Sequence, residues 1–167
     1  KSVNQESADE LRLIMFDIGQ GDALFIDTPK HHQVLVDGGP SEVILEKLAA
    51  VMPSGDRTID ALVVSHPHAD HLAGFVSVLK KYQVGAIYYS GAIYPSKVAL
   101  EFLRQARLRA VPLIDASFAP DLIFEDGVEL DWLAPRNSFS GKRLDNVHDA
   151  MIVARLKYQN NFDFEAR

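Results

Sequence analysis

Hydrophobic positions along the chain fall into short runs of Leu, Ile, Val and Phe, separated by polar and glycine-containing stretches. Such runs, when they are about four to eight residues long and bounded by turn residues, are typical of β-strands. Strands are therefore predicted over residues 11–18, 23–27, 33–37, 59–65, 84–89, 111–115, 128–133 and about 150–158. The segment Gly-Gln-Gly-Asp at 19–22 predicts a glycine turn between the first two strands.

Apolar residues three and four positions apart predict helices. The clearest case follows the strand at 59–65, and its members are Leu72, Phe75, Val76, Leu79 and Tyr82. Two further helices are predicted over 42–51, where Ser41 can cap the first turn, and over 96–109. Because strands and helices alternate along the chain, the fold class is α/β.

The connections are polar. Residues 28–32 look like a hairpin turn, and residues 135–144 form a polar loop before the last strand. His31 and His32 lie at the hairpin tip, where polar residues are ordinarily solvated, so they are not assigned to a site.

Composition sets limits on the class of protein. The chain has 167 residues, of which 47% are hydrophobic and 24% charged, so we expect one domain over residues 11–167 after a polar extension at 1–10. No apolar stretch approaches the ~20 residues that span a bilayer, so stable membrane insertion is not expected. The chain has no cysteine, so a metal ion would need His, Asp or Glu ligands. The net charge of −6 argues against broad affinity for nucleic acid.

The segment His-Pro-His-Ala-Asp-His at 66–71 holds the candidate chemistry. It places His66, His68, Asp70 and His71 directly after a predicted buried strand, where open α/β sheets bind ligands. Imidazoles suit zinc and other first-row divalent ions, and a carboxylate helps to hold a second cation near the first. One short segment can therefore serve two metal ions, and a water bound there would become a hydroxide nucleophile near pH 7.

Three segments together resemble the metallo-β-lactamase superfamily. They are residues 16–23, which contain the glycine turn, the Val-Asp-Gly-Gly segment at 36–39, and residues 65–74 with the histidine cluster. Within the superfamily they are most similar to the branch that contains the β-lactamase-like domain of the bacterial competence DNA-uptake channel ComEC and its stand-alone relatives. The resemblance covers nearly the whole chain and implies a four-layer αββα sandwich with the metal site at one edge of the two sheets.

The resemblance also implies roles for individual residues. His66 and His68 match ligands of a first metal ion, while Asp70 and His71 match ligands of a second. Asp70 has an alternative role as the catalytic group that moves a proton. Two divalent ions are thus the expected cofactors, with zinc first and manganese or iron as alternatives.

Two other positions each have two interpretations. Asp37 either orients a metal-binding histidine from behind or only forms the turn before two glycines. His148 either completes the ligand set of the first ion or is a polar residue at the start of the final strand. Asp17 and Asp22 are expected to organise the glycine turn rather than to bind metal.

The C-terminal part departs from the family pattern. Relatives follow the last strand with a Thr-Gly-Asp segment whose Asp bridges the two metal ions, and this chain has no such segment. Part of the C-terminal region is therefore expected to be missing from the sequence, or the bridging ligand has been lost. Asp163 and Glu165 are weak substitutes.

Three functions follow. The leading one is a metal-dependent phosphodiesterase or nuclease that uses metal-activated hydroxide; the alternatives are a hydrolase of a small ester, thioester or lactam, and a non-catalytic interaction domain. Candidate phosphate contacts are Lys97, Arg104, Arg107, Lys142 and Arg143. The sequence leaves oligomeric state open, and the compartment is extracytoplasmic for a channel domain or cytoplasmic for a stand-alone protein.

Overall fold

The structure, a computed structural model, describes residues 10–159 and 162–166. The predicted extension at 1–10 thus lies almost entirely outside the described residues. Six strands form a first sheet: β1 (Arg12–Met15), β2 (Leu24–Asp27), β3 (Gln33–Val36), β4 (Thr58–Val63), β5 (Gln83–Tyr89) and β6 (Leu113–Asp115). Four strands form a second sheet: β7 (Leu122–Ile123), β8 (Val128–Ala134), β9 (Val153–Tyr158) and β10 (Phe162–Ala166).

Three α-helices connect strands of the first sheet: α1 (Val43–Val51), α2 (Ala69–Lys81) and α3 (Lys97–Leu108). The sheet order is β1-β2-β3-β4-β5-β6, antiparallel from β1 to β3 and parallel from β3 to β6. The second sheet has the order β10-β9-β8-β7 and is antiparallel throughout. None of the described helices is long and apolar enough to cross a membrane.

The neighbouring strands β2 and β3 are buried on both faces, which explains their nearly continuous apolar sequence. Phe25 and Leu35 point into a cluster formed with the three helices. Their neighbours Ile26 and Val34 point the other way, into a cluster with residues of the second sheet such as Leu130. Because side chains alternate along a strand, the first sheet separates two cores.

The predicted α/β sandwich is confirmed. Helices, first sheet and second sheet lie in that order, and all three described α-helices bury their apolar faces against the first sheet. The outer face of the second sheet carries charged side chains, among them Asp131 and Lys157. The predicted four-layer sandwich has a layer of helices on that face. No α-helix among residues 10–159 packs there, so these residues form three of the four predicted layers.

Several predicted boundaries were wrong by a few residues. The first strand ends at Met15 and not at residue 18, and β6 begins at Leu113 and not at residue 111. The final long strand begins at Val153, because residues Val147–Ala150 form a 3-10 helix. The short strand β7 was not predicted. Ser41 lies one residue before the N-cap of α1, and its hydroxyl accepts a 3.3 Å hydrogen bond from Val43 N.

Candidate metal centre

The histidine cluster lies at the carboxyl ends of the parallel strands β3, β4 and β5. Strand β4 ends at Val63 and leads into a segment, residues 65–71, that we call the metal loop. Helix α2 begins within this loop, with His68 as its N-cap in an extended conformation and Asp70 in its first turn. The carboxylate is well placed there because a helix N-terminus carries a partial positive charge.

Three imidazoles converge at this edge. His66 Nε2 and His68 Nδ1 lie 3.1 Å apart. The ring of His148 lies 4.8 Å from that of His66 and 5.1 Å from that of His68, centroid to centroid. One ring nitrogen from each residue falls within 4.8 Å of the other two. Three histidine nitrogens this close together could hold a single first-row metal ion.

His148 reaches the cluster from the segment between β8 and β9. It lies in the 3-10 helix Val147–Ala150, and its backbone N–H donates a 3.1 Å hydrogen bond to the side chain of Asn146. The following segment is joined to the metal loop by a 2.9 Å hydrogen bond from Ile152 N to Ser65 O. The local structure thus places His148 beside the other two histidines instead of inside a strand.

His71 is held from behind by a buried carboxylate. Its Nδ1 lies 2.8 Å from Asp37 Oδ2, and Asp37 also accepts hydrogen bonds from Ser65 N at 2.9 Å and Ser65 Oγ at 2.5 Å. The hydrogen bond to Asp37 raises the pKa of His71. Burial raises the pKa of Asp37, while the hydrogen bonds from His71 and Ser65 act in the opposite direction. With Nδ1 engaged, Nε2 of His71 is the nitrogen that can bind a metal ion.

Main-chain contacts fix α2 against the segment that carries Asp37. Gly38 N donates to His71 O at 2.7 Å, and Gly74 N donates to Gly39 O at 2.9 Å. A Cβ on Gly74 would lie 1.8 Å from the carbonyl oxygen of Gly38, so the close approach requires glycine.

Asp70 faces the glycine turn at 19–22. Gln20 Nε2 lies 3.4 Å from Asp70 Oδ2, and Gly21 packs against the backbone of Asp70. Asp17 organises the same turn, since its side chain accepts a 3.4 Å hydrogen bond from Gly19 N. The segment that distinguishes the predicted branch therefore lies directly on the metal loop.

The electrostatics favour a neutral imidazole at His66, the most buried histidine of the cluster. Burial, followed by the neighbouring His71, His68 and His148, lowers the pKa of His66 to about 4. His66 is only 6% exposed. A neutral imidazole is the form that binds a divalent ion, so this side chain needs to release no proton near pH 7.

Other predicted residues lie away from the cluster. His31 and His32 are at the opposite end of the β2–β3 hairpin, and they are not merely solvated: His31 Nδ1 lies 3.3 Å from Asp27 Oδ1, and the His32 ring stacks on Phe124. The side chains of Asp163 and Glu165 lie outside the described part of the structure.

The candidate phosphate contacts divide into two groups. Lys97, Arg104 and Arg107 lie on α3, where Arg104 donates two hydrogen bonds to Glu101. Lys142 and Arg143 belong to the loop that pairs with the segment after β5, through a 2.8 Å hydrogen bond from Ile93 N to Lys142 O.

Sequence reasoning missed two residues of the centre. Tyr94 places its ring 5.8 Å from that of His68, and no local pattern announces this contact between two loops. Asn146 fixes the backbone of His148. An Asn side chain often accepts a hydrogen bond from the backbone N–H two residues later and so forms a turn. Asn146 makes this hydrogen bond to His148, so the position could have been found from the sequence.

A second set of potential metal ligands consists of three acidic residues at the second sheet. Carboxylate oxygens of Asp121, Glu129 and Asp131 come within 4.8 Å of one another. Asp131 is paired with Lys157 at 2.5 Å and with Arg155 at 2.7 Å. Lys157 also lies 3.5 Å from Glu129, so two of the three carboxylates belong to an ion-pair network of the sheet.

Comparison with known proteins gives one family. The sequence profile described as the metallo-beta-lactamase superfamily matches residues 16–144, which is most of the chain. The hydroxyacylglutathione hydrolase of Aeromonas hydrophila is 34% identical over 59 residues, covering 35% of this chain and 22% of the relative. The enzyme of the same name from Aeromonas salmonicida is 32% identical over the same length, with the same coverage.

Solved structures show the same fold at low sequence identity. A metallo-β-lactamase from Cronobacter sakazakii aligns with a TM-score of 0.58 at 14% identity, over 94% of this chain and 60% of its own. A subclass B3 metallo-β-lactamase from a soil metagenome aligns with a TM-score of 0.56 at 13% identity, over 96% and 60%. A chemotaxis sensor with a peroxy diiron species aligns with a TM-score of 0.55 at 17% identity, over 92% and 57%. The chain spans about three fifths of these structures.

Proposed function

The chain belongs to the metallo-β-lactamase superfamily, and from that premise we propose that it is a metal-dependent hydrolase that cleaves phosphodiesters. His66, His68 and His148 would hold one divalent ion, and Asp70 with His71 would hold a second. The donor set fits such ions, since three imidazole nitrogens converge and the buried His66 is neutral at pH 7. Zinc is the first choice, with manganese and iron as alternatives.

Divalent ions in such a site supply an activated water near neutral pH and offset negative charge on the leaving oxygen. The remaining work falls to side chains of this chain. Asp70, in the first turn of α2, binds an ion or accepts the proton that the attacking water loses. Asp37 keeps the Nδ1 proton on His71 and holds the ring in place, so that Nε2 faces the site.

The choice of phosphodiester depends on one observation. The Gly-Gln-Gly-Asp segment at 19–22, which narrows the resemblance to the branch of the competence DNA-uptake domain, contacts Asp70 through Gln20 and Gly21. A segment that is typical of that branch thus supports a metal ligand. The cationic residues Lys142 and Arg143 lie on a loop paired with the segment that carries Tyr94, which contacts His68, and we expect them to attract a phosphate.

A second candidate is hydrolysis of a small thioester. The 59-residue match to hydroxyacylglutathione hydrolases favours it, because the same kind of centre can polarise a carbonyl. Comparing kcat/KM for bis(p-nitrophenyl) phosphate and for a hydroxyacylglutathione thioester separates the two. We expect the phosphodiester to be the better substrate.

Metal content is the first test of the proposal. Protein purified without chelator is analysed by plasma mass spectrometry as wild type, as His66→Ala/His68→Ala, and as His31→Ala/His32→Ala. We expect about two equivalents in the wild type and in the hairpin variant, and a loss in the metal-loop variant. The hairpin variant is the matched control, because it also removes two neighbouring histidines but lies at the other end of the sheet.

Two results would contradict the proposal. Less than about one tenth of an equivalent after incubation with zinc or manganese would leave a non-catalytic interaction domain as the better account. Equal metal loss in both double variants would show that the ions do not bind at the histidine cluster.

A further inference from the structure

An apolar pocket of about 310 Å³ lies beside the metal loop. It is bounded by the loop itself, by residues 91–95 after β5, and by helix α3. Ala99 and Phe102 of α3 form part of its inner wall and are buried. The pocket is separate from the three-histidine cluster but shares a wall with it.

The shared wall is built from residues that neighbour the proposed ligands in sequence. Pro67 lies between His66 and His68, and Leu72 directly follows His71. Because consecutive Cα atoms are about 3.8 Å apart, the pocket wall is one residue away from three ligand positions. Tyr94 also lines the pocket, and its ring lies 5.8 Å from that of His68. Tyr94 therefore borders both the pocket and the histidine cluster.

The walls are mainly aliphatic. Three large apolar side chains at the pocket are well exposed: Ile93 at 48%, Leu100 at 60% and Leu103 at 39%. Apolar pockets with polar groups grouped at one side are the usual form of a small-molecule site. Here the apolar part is the pocket, and the polar side is the metal loop.

We propose that this pocket binds an uncharged alkyl or aryl group attached to the scissile ester, with Tyr94 separating that group from the ligand histidines. The inference rests on the proposed hydrolase function and names its substrate class: a small phosphodiester with one apolar ester group. On the side of the pocket formed by Ile93, Leu100 and Leu103 a sugar or a nucleobase would find no hydrogen-bond partners, so an apolar ester group is favoured there. The loop of Lys142 and Arg143 continues from Ser140 and Gly141 in the pocket wall, so an anionic phosphate would lie near cations while its ester group is buried.

A ligand series tests the pocket without requiring turnover. The dissociation constants of methyl, butyl and hexyl phosphate are measured by calorimetry with the full chain in the presence of zinc. The KM values of the corresponding alkyl p-nitrophenyl phosphodiesters are measured in parallel. Each methylene that enters an apolar pocket should improve the affinity about four-fold until the pocket is full.

Matched variants locate the effect. Leu103→Trp fills the pocket from α3 and should bring the affinity for hexyl phosphate down to that for methyl phosphate. Leu108→Trp, on the same helix and 65% exposed, lies outside the pocket wall and should keep the full chain-length dependence. Leu100→Ser at the rim should weaken hexyl phosphate several-fold and methyl phosphate little, which keeps the test valid if Leu103→Trp does not fold.

The outcomes distinguish the pocket from the activity. If all three diesters were hydrolysed with the same KM, the proposed pocket would be overturned and the hydrolase function would stand. Affinity that improves with chain length in the wild type and no longer depends on chain length in Leu103→Trp would establish the pocket, even if no diester were cleaved. Equal binding of all three phosphates by the wild type, or tryptophan variants that behave alike, would overturn the inference.

Discussion

Gly21 lies where a side chain would collide with the metal loop. Its φ angle is +85°, in the left-handed region that favours glycine, and a Cβ there would lie 1.9 Å from the carbonyl oxygen of Asp70. Gly19 has a similar φ angle of +81°, but a Cβ on it would meet no described atom within 4 Å. The two glycines therefore share a backbone conformation and differ in how closely they approach Asp70.

Alanine at these two positions separates backbone strain from loss of the site. Gly19→Ala should cost about 1–2 kcal/mol of stability, because it puts an L residue at positive φ, and Gly21→Ala should cost more, because its Cβ also collides with the carbonyl oxygen of Asp70. Only Gly21→Ala should also displace Asp70, lowering metal affinity or kcat/KM by about 10–100-fold. Thermal unfolding and zinc titration of both variants measure the two effects. Equal metal affinity in the two variants would show that the turn does not support Asp70.

At the scale of elements, the sequence predicted best where burial is uniform. Strands β2 and β3 are covered on both faces, so almost every residue is apolar and the run is unmistakable. Strand β7 has two residues, Leu122 and Ile123, and so shows no period. The start of β9 was predicted too early because apolar residues precede it, whereas Asn146 turns that stretch into a 3-10 helix.

The second sheet contains an ion-pair network whose stabilising effect should depend on pH. Asp131 on β8 lies 2.5 Å from Lys157 Nζ and 2.7 Å from Arg155 on β9. Burial raises the pKa of Asp131, but the hydrogen bonds from Lys157 and Arg155 outweigh it and bring the pKa to about 2. Because this lies below the ordinary value of about 3.9, the network stabilises the fold above pH 4, and this stabilisation disappears as the pH falls towards 2.

Asp131→Asn should therefore be destabilising at neutral pH and nearly neutral in acid. Removing the charged partner of these hydrogen bonds should cost about 2 kcal/mol, or about 4–8 °C in Tm, at pH 7. The difference in Tm between the wild type and the variant should disappear as the pH falls from 4 to 2. Thermal unfolding followed by circular dichroism across that range measures it. A gap that stays constant would mean that packing, and not charge, accounts for the difference.

At the scale of the whole molecule, the predictable part of the centre is the part that is local in sequence. His66, His68, Asp70 and His71 lie within six residues, so their proximity follows from the chain itself. His148 comes from the connection between two strands of the second sheet, and its position depends on how the two sheets pack. Tyr94 reaches His68 from a loop after a different strand. Contacts of this kind follow from tertiary packing, which no periodicity in a single segment encodes.

The charge of the whole molecule requires that any anionic substrate be attracted locally. A net charge of −6 repels a phosphodiester at long range, so the cations near the centre must act against it. Arg104 is already paired with Glu101, with an N–O distance of 2.7 Å. Lys142 and Arg143 are exposed on the loop that borders the apolar pocket. We expect these two to attract the phosphate.

Replacing both should weaken substrate binding and its dependence on salt. Lys142→Ala/Arg143→Ala should raise KM for methyl p-nitrophenyl phosphate about 2- to 30-fold at low ionic strength, because exposed charge pairs contribute about 0.2–1 kcal/mol each. With single-stranded oligonucleotide, the slope of log K against log salt should become shallower by about 1.4, since each phosphate that is no longer neutralised accounts for about 0.7. Arg104→Ala is the control and should leave KM and slope unchanged. If Arg104→Ala reduced the slope while the double variant did not, the phosphate would bind along α3 instead, and the cationic loop would have no part in substrate binding.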